Sequence, residues 1–95
     1  MSNYDRGAKF ERRVQDFYEE QNMDAVRSAG SKGPSDVTAF FRGRIIFNTL
    51  RIGNYWSPEE REAFEMLIER HPSSMGRYVW RGSKKERYKI YFKEA

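Results

Sequence analysis

Residues 36–52 read DVTAFFRGRIIFNTLRI, two apolar-rich runs separated only by Arg42 and Gly43. A gap that short leaves room for nothing but a tight turn, so the chain is committed to a sheet whose strands run over Asp36–Phe41 and Arg44–Ile52. The neighbouring segments must fit around that pair. From Asp5 to Gln21, Phe10, Val14, Phe17 and Tyr18 recur at helical spacing, with Arg12, Asp16 and Glu19 on the opposite face. Met23–Ser28 is a short strand centred on Ala25 and Val26. The run SPEE at 57–60 starts a second helix: Ser57 caps it, Pro58 suits the first helical position and Glu60 completes a capping box. That helix extends to about Arg70, burying Phe64, Leu67 and Ile68, and Pro72 ends it. RYVWR and ERYKIYF are two more strands, joined by the polar turn GSKK. The order is αβββαββ, a single α/β domain over residues 1–95 with a mixed sheet flanked by helices.

Composition limits what such a domain can do. There is no cysteine and a single histidine, His71, which excludes a disulfide framework, thiolate metal sites and a multi-histidine site within one chain. His71 precedes Pro72 at a helix end, where its charge suits the helix dipole, and it is given no catalytic role. No apolar run approaches the roughly 20 residues of a membrane span and no signal-peptide pattern is present, so a soluble, cytoplasmic protein is expected.

Net charge is +4, and its distribution says more than its size. Seven basic residues lie between Arg77 and Lys93 against one acid, Glu86; five lie between Arg27 and Arg51 against Asp36. The acids gather in the two helices. A basic sheet with acidic helices suits a polyanion such as nucleic acid, while a plain solvated basic surface is the alternative. On the closing strands, Tyr78, Trp80, Tyr88 and Tyr91 are interspersed with basic residues, giving either core plus solvated face or a basic surface turned to DNA. Met66, Leu67 and Ile68 widen the apolar surface of the second helix, which suggests a two-fold dimer contact. Tyr55 and Trp56 serve equally well in a dimer seam, on a base, or over the helix start.

Two carboxylates on neighbouring elements, Glu11 and Asp36, are the minimum for a hard divalent cation such as magnesium, which takes oxygen ligands and keeps water. Such an ion activates water in phosphodiester cleavage. Glu11 borders the apolar helix face and Asp36 follows the stretch RSAGSKGPS, whose small residues suit close backbone approach to a phosphate. A flexible connection is the plainer reading of that loop.

The segments RGAKFERR, RSAGS, SDVTAF and SPEEREAFEML, in this order, resemble the archaeal Holliday-junction resolvases, small dimeric nucleases of the PD-(D/E)XK class. The resemblance spans nearly the whole chain, and RSAGS is its most specific element. It implies a restriction-endonuclease-like fold and a homodimer that binds four-way DNA junctions in DNA recombination. It also implies a magnesium-dependent endodeoxyribonuclease site built from Glu11 and Asp36 as metal ligands, Ser31 of the loop, and a Glu-x-Lys pair on the third strand. Arg27, Ser28, Gly30, Ser31, Lys32 and Arg51 would meet the DNA. The third strand departs from that pattern. It reads NTLR over 48–51, placing Thr49 and Arg51 in the Glu-x-Lys positions, or Asn48 and Leu50 in a register shifted by one. Either way a carboxylate is missing, and arginine cannot accept a proton as lysine can. Pro34 and Asp36 are also separated by Ser35. A weakened magnesium site and weakened or lost cleavage follow. The alternative function is a nuclease-derived, inactive protein-interaction module of archaeal or viral kind.

Overall fold

A computed structural model describes residues 3–28, 34–52, 56–81 and 88–95. Their order is α1 (Asn3–Glu19), β1 (Asp24–Arg27), β2 (Val37–Phe41), β3 (Arg44–Ile52), α2 (Pro58–Glu69), β4 (Ser74–Arg81) and β5 (Tyr88–Glu94). The five strands form one sheet in sequential order, antiparallel except for the β3–β4 pair, which is parallel. This is the mixed αβββαββ sheet expected from the sequence, and α2 is the crossover that a parallel pair requires.

Each element ends for a local reason. Helix α1 stops at Glu19, two residues before the expected Gln21, because Asn22 takes a left-handed conformation (φ 63°). Met23 N–H then donates to Tyr18 O and Asn22 N–H to Glu19 O, a Schellman ending in which asparagine replaces the usual glycine. Arg42 and Gly43 both have positive φ (49° and 78°), the geometry of a two-residue turn whose twist matches its strands. Helix α2 begins as read: Ser57 Oγ accepts from Glu60 N–H at 3.1 Å and donates to the Glu60 carboxylate at 3.2 Å. Past its end, Ser74 Oγ donates to Ile68 O at 3.0 Å.

The core has two layers, one on each face of the sheet. Beneath α1, Phe10, Tyr18, Val37, Ala39, Leu50 and Val79 pack together. Beneath α2, Phe47, Phe64 and Ile68 form the second cluster, with Leu67 half-buried against it. The α2 layer is tight because Gly76 of β4 has no side chain: a Cβ there would stand 2.0 Å from Ile68 Cδ1. Stacking of Trp56 on Tyr78 at 3.9 Å extends this layer toward the start of α2.

Asn48 is fully buried in the α1 layer, and its side-chain donors and acceptor are all paired. The Tyr18 hydroxyl donates to Asn48 Oδ1 at 2.8 Å, and Asn48 Nδ2 donates to Val37 O and Ile46 O. Arg77 Nη1 in turn donates to the Tyr18 hydroxyl at 2.8 Å. A neutral amide can be buried at low cost only when its donors and acceptors are met in this way.

Candidate functional site

Residues alternate between faces along β3, so Asn48 and Leu50 point under α1 while Phe47, Thr49 and Arg51 point to the α2 side. Of the two registers open in the sequence, it is therefore Thr49 and Arg51 whose side chains meet Asp36. Asp36 directly precedes β2, where its N–H donates to Asn48 O at 2.7 Å and its carbonyl accepts from Ser28 N–H at 2.9 Å. Those bonds fix the carboxylate over β3. Its Oδ2 accepts from Leu50 N–H at 2.8 Å and more loosely, at 3.4 Å each, from Thr49 Oγ1 and Arg51 Nη1.

Arg51 does not stop at Asp36. Its Nε and Nη2 both donate to Glu60 Oε2, and Nη1 donates to Leu50 O at 2.8 Å. The guanidinium thus bridges a carboxylate from the sheet to one from the first turn of α2, with side chains about one-third exposed throughout. The hydrogen bond from Arg51 holds the Glu60 carboxyl below its ordinary pKa. Tyr78 stands close by: burial raises its pKa, and the charge of Arg51 opposes the rise.

Glu11 reaches this end of the sheet from α1. Burial raises its pKa first, the charge of Asp36 raises it further, and Arg27 acts against both. Hydrogen bonds thus join Asp36, Thr49 and Arg51, with Ser28 linked through its backbone, and Glu11 and Arg27 are near enough for their charges to be felt. Gly30, Ser31 and Lys32 lie outside the described residues, as do Tyr55 and the GSKK turn. Glu60 belongs to the cluster but reads in the sequence only as a capping residue. The short connection from Arg51 to an acidic first helical turn was the available signal.

The closing strands divide as the alternation of RYVWR requires. Tyr78 and Trp80 face α2, whereas Arg77 lies on the α1 side among Phe17, Tyr18 and Phe92, with its guanidinium carbon 5.5–5.9 Å from their ring centres. Its charge is spent on those rings and on the Tyr18 hydroxyl.

Magnesium, implied by the resemblance, can be tested against these groups. Among the described residues no three His, Cys, Asp or Glu side chains converge. Glu11 and Asp36 supply two carboxylates, Thr49 supplies a neutral hydroxyl, and a guanidinium nitrogen lies 3.4 Å from Asp36 Oδ2. A divalent ion on that oxygen would meet a fixed positive charge, so the donor set as it stands does not fit one.

A mixed sheet between two helices, with a helix glutamate, an aspartate leading a strand and a paired position on the next strand at one end, defines an endonuclease-type fold. The solved structure of Archaeoglobus fulgidus Hjc, a Holliday junction resolvase from an archaeal hyperthermophile, superposes with a TM-score of 0.70 at 18% identity, covering 87% of this chain and 72% of that one. The family model of the archaeal Holliday junction resolvase (Hjc) matches residues 2–52, more than half of the chain, and the chain belongs to that family. A search of the curated proteins found no match. No helix among the described residues is long and apolar enough to cross a membrane.

Proposed function

We propose that this resolvase-like protein binds branched DNA, four-way junctions first, as a homodimer, and that metal-dependent cleavage is weakened or lost. One observation carries the loss of cleavage: the aspartate of the site is already engaged by Thr49 and by an arginine that a second carboxylate holds in place. Arg51 cannot take a proton from water at neutral pH. Binding is left to Arg27, beside the site, and to the adjoining RSAGSKG segment with Lys32. These contacts are electrostatic and therefore salt-dependent.

A gel-shift titration with a labelled four-way junction at two salt concentrations, with and without magnesium or manganese, tests this. We expect binding that weakens with salt and little or no cutting. Arg27→Ala with Lys32→Ala should flatten the salt dependence by about one phosphate contact each. Unchanged affinity would show that this end of the sheet does not face DNA. Light scattering should give twice 11.4 kDa; a strict monomer would remove the two-fold junction model.

A second reading, an inactive protein-interaction module, draws support from one surface. Phe17, Ile90 and Phe92 are 42–56% exposed on the α1 side of the sheet, and the first two border a cavity of about 330 Å³. Apolar side chains grouped in this way suit a protein contact. On α2, by contrast, Ile68 is buried and Leu67 packs on the sheet, leaving Met66 as its exposed large apolar residue. Junction binding that fails at low salt would favour this second reading.

A further inference from the structure

We propose that Arg51 is a built-in cation, bridging Asp36 and Glu60 where a nuclease would use a divalent metal, so that the site is independent of metal altogether. This goes beyond junction binding, because it concerns what balances the charge of the site and can be tested without DNA.

The geometry argues for it in three ways. All three guanidinium nitrogens have acceptors: Nε and Nη2 on Glu60, Nη1 on Asp36 and on Leu50 O. The cation is therefore held from the sheet and from α2 at once and is not a surface side chain caught in passing. Glu60 is itself steadied by Ser57, which both accepts from its N–H and donates to its carboxylate. Finally, the two departures on β3 belong together. Threonine in the glutamate position lowers the negative charge of the site, and the one fixed positive charge of Arg51 then offsets part of the repulsion of Asp36 and Glu60 for each other and for a nearby phosphate. Unlike a bound ion, a guanidinium is not removed by a chelator and does not deprotonate in the working pH range.

The test is manganese binding to the intact protein, followed by electron paramagnetic resonance, alongside melting temperature in millimolar magnesium and in EDTA. The parent should show no saturable manganese binding and the same melting temperature in both conditions. Arg51→Met removes the cation and leaves its carboxylate partners, so it should acquire the saturable manganese binding that the parent lacks. Adding Asp36→Asn to Arg51→Met should abolish the gain. Saturable binding by the parent, or a parent stabilised by magnesium, overturns the proposal, as does a folded Arg51→Met that gains nothing. Should Arg51→Met fail to fold, judged by circular dichroism, the two parent measurements decide alone. Junction binding is scored separately, so failure of the DNA reading leaves these outcomes unaffected.

Discussion

Asn48 and Arg51 lie three residues apart on β3 and point to opposite faces, and each organises a polar network. The Asn48 network is centred on a neutral, fully buried amide whose own donors and acceptor are met, and Arg77 reaches it through the Tyr18 hydroxyl. The Arg51 network is charged, about one-third exposed, and joins three elements at the rim of the sheet. Burial raises the worth of a satisfied hydrogen bond and the penalty for a missing one, while water screens an ion pair at the rim. Stability should therefore depend on Asn48 more than on Arg51, whose proposed part is in what the site binds.

Asn48→Leu is the sharpest way to break that contrast. It takes away the buried acceptor of the Tyr18 O–H and one donor each from Val37 O and Ile46 O, and should cost about 3 kcal/mol in urea unfolding. Arg51→Met should cost about 1 kcal/mol in the same measurement, since exposed pairs contribute little. Equal losses would show that the two networks carry the fold alike. Thr49→Glu with Arg51→Lys addresses chemistry. It restores a carboxylate beside Asp36 and should introduce magnesium-dependent cutting of a four-way junction, which Asp36→Asn then abolishes. No gain, with binding intact, would show that a Glu-x-Lys pair on β3 is not enough for cleavage in this chain.

The smallest expected effect is on pH dependence, and it has opposite signs at the two glutamates. Glu11 has a raised pKa when folded, so the folded state holds its proton longer and stability falls as pH rises from about 4.5 through the folded value. Glu60 has a lowered one, so its contribution is present above 4.5 and is lost as pH falls through the folded value. Melting temperatures between pH 3 and 7, about the range over which carboxylates titrate, should show Glu11→Gln gaining on the parent as pH rises. Glu60→Gln should lose its deficit as pH falls. Parallel curves for both variants would refute the assignment.

Much of this was legible in the chain, and the reasons are local. A two-residue turn, a capping box and helical spacing depend on neighbours in sequence, so αβββαββ could be read directly. The same-face placement of Thr49 and Arg51 follows from strand parity. What could not be read depends on tertiary partners. Glu60 already had a complete explanation as a capping residue, so nothing in SPEE pointed to Arg51. Asn48 gave no sign of being a core residue, because only Tyr18 and the carbonyls around it make burial tolerable. Arg77 reads as one more charge of a basic strand, yet three aromatic rings and a tyrosine hydroxyl surround it. Helix α1 ended early because a left-handed asparagine is cheaper than other non-glycine residues, a preference that periodicity does not register.

The missing side chain at Gly76 has a consequence at a distance. Ile68 rests on that bare stretch of β4, and Ile68 and Glu60 belong to the same rigid rod. The depth to which the far part of α2 sinks therefore sets the height at which its first turn stands over β3. A methyl group at position 76 would press on the side chains of Ile68 and Phe64, and whatever they did not absorb would pass to the seat of α2 and so to the reach from Glu60 to Arg51. The site is calibrated by an atom that is not there.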